Sequence, residues 1–467
     1  MDGLDIVVVG AGIGGLASAL ALARGANRVT LVERDDAPMP PDAEAAFEWD
    51  RTGAPQVRHP HVFLGLARTI LRDRFPDVHQ ALSDLGVEPA PIRGNQGLTL
   101  DEATLAVLEA DDDLRMLPCR RTTFEWVMRC TVLAEAGIDL VLGHGVAGLE
   151  LQRATDGPPR VTGVRLEDGT VLAADLVVAT TGRRGDVPAW LDAHGITVSE
   201  TVGDAGVVYF SRFYRCDHDE AFGFRGGFGA GLVAGVIGAD AGTYSITAVV
   251  DQNDKELRAH LSDSARFDAS MRLLPELADV AAADGVPIHP VHCMTGLINR
   301  TRSFTNGSGT PLVRGLVACG DAHTCTNPAY GRGQSLALRQ ATFIADAVAG
   351  HDDLLEAARA YEAACDEQVA PWYHFSVLTD QMRAAATGGD RVAAAAGGGD
   401  GLAAAFANIG SDPGMMRLLM RVMNLLELPQ VLMAKLPEMS AAAPSPPRPR
   451  GPKVKRPSRD DLLAVVT

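Results

Sequence analysis

A glycine-rich turn near the N-terminus constrains the fold of this chain more than any other feature. Residues 10–15 read G-A-G-I-G-G and fit the pattern G-x-G-x-x-G. The apolar run at residues 6–9 is typical of a strand buried on both faces of a parallel sheet. Residues 16–23 predict a helix of small and apolar residues, and residues 29–32 predict a second strand. Together these segments predict a βαβ unit.

Each glycine of this turn has a physical role when a dinucleotide binds. Gly10 permits the tight turn, Gly12 lets a pyrophosphate approach the backbone, and Gly15 lets the helix pack closely on the strand. The helix N-terminus offers free N–H groups and a partial positive charge to the phosphates. Glu33 follows about 20 residues later, at the end of the second strand, where a carboxylate accepts hydrogen bonds from an adenosine ribose. The sequence predicts a bound dinucleotide, and the turn alone leaves FAD and NAD open.

A second pair of segments favours FAD. Residues 316–319 predict a buried strand that leads into G-D-A-H at 320–323, and N-P-A-Y-G-R-G at 327–333 leads into a predicted helix. They resemble the G-D…P-x-x-G-x-G element of FAD-dependent monooxygenases related to para-hydroxybenzoate hydroxylase. In that family the aspartate, here Asp321, holds the ribitol chain. The glycines bring a helix N-terminus against the N1/C2=O edge of the isoalloxazine, where the helix dipole favours the negative charge of reduced flavin.

Further segments extend the resemblance over most of the chain. Residues 121–126 look like the family's R-x-x-L-E-x helix start, and residues 175–183 resemble its strand D-L-V-V-x-A-x-G-R. Residues 53–61, G-A-P-Q-V-R-H-P-H, resemble a segment of actinobacterial polyether-epoxidase-like flavoproteins, as do residues 412–425 and 457–463. The FAD-binding residues that the resemblance implies are Gly10, Gly12, Gly14, Gly15, Glu33, Arg34, Arg58, Arg121, Val146, Gly320, Asp321, Gly331 and Gly333. The candidate catalytic residues are Pro328 and Arg332.

Several residues near these segments have two interpretations. His323 is either a loop histidine that satisfies backbone groups or a catalytic group. Arg58, His59 and His61 lie either near the flavin or in a surface loop. Arg332 either stabilises an anionic flavin or an acidic substrate, or points to solvent. The Met-rich helix predicted after residue 412 either packs in the core or forms a flexible wall around a substrate.

The order of the predicted elements indicates an α/β fold with a Rossmann-like FAD-binding βαβ domain of the glutathione-reductase type. We expect residues 1–185 and 310–350 to form this discontinuous domain. Alternating and β-branched runs predict that residues 186–309 form an inserted substrate-binding domain with an antiparallel β-sheet. Residues 351–467 predict a C-terminal helical region with an extended tail rich in proline and basic residues.

Charge and cysteine content argue against several classes of protein. The chain has 42 Lys and Arg against 59 Asp and Glu, a formal net charge of −17, which argues against a nucleic-acid partner. The 7 cysteines form no C-x-x-C pair and no metal spacing, so we expect no metal site and a cytoplasmic location. No apolar run reaches the ~18 residues that a membrane span needs, and the N-terminus lacks the regions of a secretory signal.

The resemblance implies a flavin-dependent monooxygenase of secondary metabolism. Reduced FAD and O2 give a C4a-hydroperoxide, which delivers one oxygen by epoxidation or hydroxylation; NADPH, NADH or a separate flavin reductase supplies the electrons. The inserted strands predict an apolar wall with few polar anchors, hence a hydrophobic polyketide-like, terpene-like or aromatic substrate. Tyr209, Phe213 and Phe228 are either residues of this wall or residues packed in the core. The alternatives are an FAD-dependent prenyl-chain reductase and a non-catalytic binding protein on an FAD-type fold. A halogenase is disfavoured because the sequence lacks W-x-W-x-I-P.

Overall fold

The fold is taken from a computed structural model, which describes residues 3–91, 100–216, 225–229, 231–282, 285–387, 409, 412–441 and 456–465. The strands are β1 (Asp5–Val9), β2 (Arg28–Glu33), β3 (Ile138–Leu142), β4 (Val146–Gln152), β5 (Arg160–Leu166), β6 (Val171–Ala173), β7 (Leu176–Ala179), β8 (Ser199–Asp204), β9 (Val207–Arg215), β10 (Arg225–Gly229), β11 (Leu232–Gly238), β12 (Thr243–Asp251), β13 (Val286–Pro287), β14 (His292–Met294), β15 (Ile298–Ser303), β16 (Leu316–Ala318) and β17 (Thr324–Cys325). The helices are α1 (Ile13–Ala23), α2 (Gly65–Arg74), α3 (Pro76–Asp84), α4 (Glu102–Glu109), α5 (Arg121–Ala134), α6 (Val187–Asp192), α7 (Lys255–Leu261), α8 (Ser264–Arg272), α9 (Ala278–Ala282), α10 (Arg332–Gly350), α11 (Leu354–Gln368), α12 (Ala370–Thr387), α13 (Pro413–Met423), α14 (Pro429–Ala441) and α15 (Arg459–Leu463).

A five-stranded parallel sheet in the order β16-β7-β1-β2-β3 forms the centre of the dinucleotide-type part of the chain. Alternate residues of β1 enter two different cores: Ile6 and Val8 face the helices, and Val7 and Val9 face the opposite layer. That layer contains the three-stranded sheet β4-β5-β6. Residues 6–9 of this strand are all apolar because both of its faces are covered there. The Rossmann-like α/β fold predicted from the sequence is confirmed.

The inserted segment forms an antiparallel sheet in the order β10-β11-β12-β9-β13, and β14 also pairs with β9. On β9, Val208, Phe210 and Tyr214 face a core that includes residues of α7 and α8, among them Leu257 and Phe267. The intervening residues of β9 therefore face the parallel-sheet part of the chain, because successive side chains of a strand point to opposite faces.

Two segments that read as single elements from their sequence are divided in the structure. The helical pattern of residues 63–85 forms two helices, α2 and α3, because Pro76 lacks an N–H donor and restricts the residue before it. The apolar run of residues 172–178 contributes to two strands, β6 and β7. The N–H of Ala174 donates to the Thr162 carbonyl and that of Asp175 to the Asp5 carbonyl, so the chain changes its partner sheet there.

The C-terminal elements pack against both parts of the molecule. Met415, Met416 and Met420 of α13 belong to the main hydrophobic core, which supports the packing interpretation of this helix. Leu462 of α15 is 0% exposed in the core beneath the antiparallel sheet, and Arg459 forms an ion pair with Asp254 of the inserted segment. The tail predicted to be extended thus ends in a packed helix, and its residues 442–455 lie outside the described part.

Candidate functional site

The turn between β1 and α1 is closed by contacts that only glycine permits. Gly10 has φ +103°, and its N–H donates to the Val32 carbonyl at 2.7 Å. A Cβ on Gly10 would lie 2.7 Å from the Thr180 carbonyl oxygen, and one on Gly15 would overlap the Gly10 carbonyl. The fold itself therefore requires these two glycines.

Gly12 and Gly14 have different surroundings. Gly12 has extended backbone at the N-cap of α1, and a Cβ placed on it would have nothing within 4 Å. The polypeptide therefore does not require glycine at position 12, and the turn keeps open space at a helix N-terminus. A Cβ on Gly14 would lie 3.5 Å from Ala337 Cβ and 3.6 Å from Cys319 Sγ. Gly14 thus lies where α1 meets α10, and its predicted contact with FAD stays a prediction.

A buried network of charges borders this turn. Glu33 Oε2 accepts a hydrogen bond from the Ala11 N–H at 2.7 Å and lies 3.7 Å from Arg51 Nη2. Arg51 also pairs with Asp35, at 3.1 Å, and with Glu125. The predicted ribose ligand Glu33 is therefore held by a loop arginine that sequence reasoning did not identify.

Two further arginines bring buried positive charge to the same place, and one of them, Arg121, shares Glu125 with Arg51. Burial, and then the neighbouring Arg51, lower the pKa values of Arg121 and Arg129 to about 10. Arg129 lies over the Trp49 ring, 5.1 Å from its centroid, and its Nη2 donates to the Ala11 carbonyl at 3.4 Å. Its buried Nε has no hydrogen-bond partner among the described residues. This unsatisfied donor beside a helix N-terminus fits a pyrophosphate.

Asp321 lies beside the start of α10. Burial raises the pKa of its carboxyl group, and Arg183, Arg300 and Arg121 lower it in part. A Cβ on Gly333, in the first turn of α10, would lie 3.7 Å from Asp321 Oδ1. The structure therefore places the predicted ribitol ligand against the helix predicted to face the isoalloxazine.

Two other predicted glycines shape this region. Gly320 has φ +64°, and its N–H donates to Gln340 Oε1 at 2.8 Å. Gly331 also has φ +64° and forms the N-cap of α10. A Cβ on Gly331 would lie 3.6 Å from the Val62 carbonyl oxygen, so the segment that carries His59 and His61 runs alongside this turn.

A buried polar cluster holds the turn before α10. Asn327 Nδ2 and Tyr330 Oη donate to Asp380 Oδ1, at 2.7 and 2.8 Å. Asn299 Nδ2 donates to Asp380 Oδ2 at 2.7 Å, and Tyr209 Oη donates to Asn327 Oδ1 at 2.9 Å. The cluster joins α12, β15 and β9 to the turn. Sequence reasoning identified Tyr209 as a wall residue but missed Asp380, because no local pattern around it indicates its partners.

Arg332 and His323 lie in buried surroundings. Arg332 is 1% exposed, and it lies over the rings of Tyr330, Trp372 and Phe375 at 4.5, 5.6 and 4.9 Å. Burial lowers the pKa of Arg332 to about 10. The interpretation that Arg332 points to solvent is thus wrong, and its side chain faces α12. His323 Nε2 lies 3.5 Å from Glu362 Oε2, between β17 and α11, which agrees with a structural role.

The remaining predicted residues lie nearer the periphery. Arg34 and Pro328 are exposed, and Val146 is half-buried at the start of β4. Arg58 is half-buried, and its Nη1 donates to the Phe47 carbonyl at 3.2 Å. The side chain of the predicted wall residue Phe228 lies outside the described part. The structure thus brings together the glycine turn, Glu33, Arg121, Asp321 and the start of α10, but not Arg34.

The described residues form neither a metal site nor a membrane-spanning helix. No group of three or more His, Cys, Asp or Glu side chains among them has the arrangement of a metal site. The helices within these ranges also include none that combines the length and the apolar character of a membrane span.

Comparison with known proteins agrees with this geometry. Residues 5–44 match the family described as FAD dependent oxidoreductase. The chain is 28% identical over 371 residues to Protein Rv3254 of Mycobacterium tuberculosis, covering 72% of this chain and 71% of the relative. Its fold is similar to that of PqsL, a probable FAD-dependent monooxygenase from Pseudomonas aeruginosa, with a TM-score of 0.59, 17% identity, and coverage of 81% of this chain and 96% of that one.

A second solved structure covers more of the chain. HpxO of Klebsiella pneumoniae, complexed with FAD and uric acid, matches with a TM-score of 0.57 and 17% identity, covering 94% of this chain and 96% of HpxO. At such identities the likeness concerns the fold alone. The chain therefore shares the fold of PqsL and HpxO, and its N-terminal segment is similar to FAD dependent oxidoreductases.

Proposed function

We propose that this chain is a flavin-dependent monooxygenase that binds FAD at the carboxyl edge of its parallel sheet and inserts one oxygen from O2 into a hydrophobic substrate. The observation that carries the proposal is the meeting of two helix N-termini at this edge. The N-terminus of α1 keeps open space at Gly12, and that of α10 starts beside Asp321. One extended ligand with phosphates at one end and an electron-accepting ring at the other matches this pair.

The residues present fit FAD. Arg121 and Arg129 bring buried positive charge to the pyrophosphate position. Glu33 ends β2, where it would accept hydrogen bonds from the adenosine ribose, and Asp321 would hold the ribitol chain. The N–H groups at the start of α10 would stabilise negative charge on the reduced ring. Pro328, in the turn before that helix, would contact the ring or the substrate.

Bound FAD would supply electron transfer to O2 and activated oxygen, and the protein supplies position and a dry cleft. The turn at residues 327–331 contacts the antiparallel sheet through Tyr209 and lies beside the segment at residues 53–64. These three parts would bound the proposed cleft. We propose NADPH or NADH, or a separate flavin reductase, as the electron source. The proposed substrate class is polyketide-like, terpene-like or aromatic, and the likeness of residues 53–61 to polyether-epoxidase-like flavoproteins supports epoxidation or hydroxylation.

The experiment is an isotope-labelled turnover assay. FAD-loaded protein, NADPH or NADH, a general flavin reductase and 18O2 are incubated with a panel of apolar polyenes and aromatic compounds. Mass spectrometry is expected to detect products that carry one 18O atom, and Gly12→Val protein is expected to give none. Products that gain hydrogen without 18O would identify a prenyl-chain reductase instead. Protein that binds no flavin would support the non-catalytic alternative.

A further inference from the structure

A chain of polar side chains lies on the face of the antiparallel sheet that turns toward the parallel-sheet part. On this face of β9, Ser211 lies between Tyr209 and Phe213. Tyr209 donates a hydrogen bond to Asn327. The ring of Phe213 packs edge-on against that of Phe47, with 5.4 Å between the ring centroids. Ser211 Oγ is 3.0 Å from His59 Nδ1. Thr247 of β12 donates its hydroxyl hydrogen to Ser211 Oγ at 2.9 Å. None of the contacts proposed above for FAD involves Ser211, Thr247 or His59.

These hydrogen bonds favour one tautomer of His59. Because Ser211 Oγ accepts from Thr247, its own hydrogen can donate to His59 Nδ1, and the ring proton is then on Nε2. Burial, and then the nearby His292, lower the pKa of His59 to about 4, so the ring is neutral at pH 7. Among the described residues, the side chain of His59 is hydrogen-bonded at Nδ1 alone. Nε2 is therefore the position from which an uncharged His59 can donate to a ligand.

A second imidazole lies beside it. His292 of β14 is paired with Ser211 in the strand register, so its side chain emerges on the same face. Its buried Nε2 has no hydrogen-bond partner among the residues that the structure describes, and its ring centroid is 6.5 Å from that of His59. Burial, then His289 and Arg58, lower the pKa of His292. Two neutral rings therefore present ring nitrogens at one place.

The residues around the two imidazole rings indicate which kind of ligand the ring nitrogens could bind. The segment that carries His59 continues past the turn before α10, where the flavin ring is proposed to lie. On the same sheet face, Val233 and Val249 are paired and half-buried, and Gly235 lies opposite Thr247 without a side chain. The face is therefore less uniformly apolar than the sequence predicts, with two imidazoles beside an apolar, roomy surface.

We propose that His59 and His292 form a subsite that binds an uncharged oxygen of the substrate, a hydroxyl or carbonyl group on an apolar skeleton. The inference rests on the proposed function, because it assigns the substrate class of the same cleft. A neutral donor suits an uncharged oxygen, whereas a carboxylate on the substrate would need a cation. Arg58, whose charge helps to lower the pKa of His292, donates one N–H to the Phe47 carbonyl. Ser211 and Thr247 act through His59 and are positioning residues.

The test compares three probes that share one skeleton: 2-naphthol, naphthalene and 2-naphthoate. Dissociation constants are measured from the change in flavin absorbance of FAD-loaded protein. We expect 2-naphthol to bind about tenfold more tightly than naphthalene, the value of one good hydrogen bond. The preference for 2-naphthol over naphthalene should vanish in His59→Phe and fall severalfold in Thr247→Val. His351→Phe, at the far end of α10, is the control variant and should show the same preference as the natural protein.

Three outcomes would overturn the subsite: equal binding of 2-naphthol and naphthalene by the natural protein, an undiminished advantage in both variants, or tightest binding of 2-naphthoate. Thr247→Val preserves shape, so it keeps the test valid if His59→Phe does not fold. Ligand-observed NMR on FAD-free protein repeats the comparison without flavin. Loss of FAD binding with an intact naphthol preference would therefore contradict the proposed function but not the subsite.

Discussion

The carboxylate of Asp380, in α12, accepts a hydrogen bond from the side chain of Asn327 at 2.7 Å, across 53 residues of sequence. The other oxygen of Asp380 accepts from Asn299 at 2.7 Å. Asn327 is also the N-cap of the short 3-10 helix Pro328–Tyr330. Gly331, which follows this 3-10 helix, is the N-cap of α10. A C-terminal helix therefore fixes the turn at which the flavin ring is proposed to lie.

Replacing Asp380 by Ala should loosen that turn. The amides of Asn299 and Asn327 would lose a buried charged acceptor, at a cost of about 1–3 kcal/mol in the free energy of unfolding. We expect weaker FAD binding as well, because the start of α10 loses its support. Urea unfolding and FAD titration measure the two effects. Asp346→Ala is the matched control, since this exposed carboxylate pairs with Arg74 at the surface. Equal effects in both variants would contradict the assignment.

Arg129 should contribute to FAD affinity rather than to folding. Arg129→Met keeps the apolar stem of the side chain and removes the buried charge, whose Nε has no partner among the described residues. Loss of a charged hydrogen bond to the pyrophosphate should raise the Kd for FAD about tenfold to a hundredfold. The stability of FAD-free protein should change little. Arg72→Met, at an exposed ion pair, is the control, and a large loss of FAD-free stability in Arg129→Met would show a structural role instead.

Asp321→Asn should show, through the pH dependence of the free energy of unfolding, whether the carboxylate serves FAD binding or folding. Burial raises the pKa of Asp321 in the FAD-free protein, so the folded state disfavours the carboxylate. The free energy of unfolding of the natural protein should therefore fall as the pH rises from about 4 to the raised pKa of Asp321. At pH values above that pKa, the free energy of unfolding should stay at the lower value. Asp321→Asn lacks this decrease, yet it should retain FAD less well. Urea unfolding between pH 4 and 8 tests it. An Asn variant that loses stability at every pH would show that the Asp321 carboxylate has a structural role, as an N-cap or turn residue, instead.

The packed end of the C-terminal tail gives a stability prediction. Leu462→Ala removes a side chain that is 0% exposed beneath the antiparallel sheet, and should cost about 2–4 kcal/mol in the free energy of unfolding. Leu463→Ala, at a half-buried neighbour, should cost clearly less. Thermal and urea unfolding of the two variants provide the comparison. Equal, small effects would mean that α15 does not dock on the inserted segment in solution.

The sequence predicts local features well and long-range contacts poorly. The βαβ unit follows from apolar runs and glycine positions that lie within about 20 residues of one another. Asp321 and Gly331 follow from a resemblance to a known family. By contrast, His59 and Ser211 are 152 residues apart in sequence, and their contact depends on the register of β9 and the path of a loop. No local pattern encodes either of these.

The same reasoning explains why Arg129 was missed although Arg121 was predicted. Arg121, Glu125 and Arg129 are spaced four residues apart on α5, which places them on one face of the helix. That spacing was readable from the sequence. The direction of this face, toward Ala11 and the glycine turn, depends on how α5 packs against α1.

The most direct test of the account is the FAD content of the natural protein beside that of Gly12→Val. Both proteins are purified, titrated with FAD and analysed for bound flavin per chain, with circular dichroism as the check on folding. The account predicts close to one FAD per natural chain and almost none in the variant, with equal folding of the two, because a valine side chain would fill the open space that Gly12 leaves beside α1. A folded Gly12→Val protein that retains FAD, or a natural protein that binds none, would contradict it.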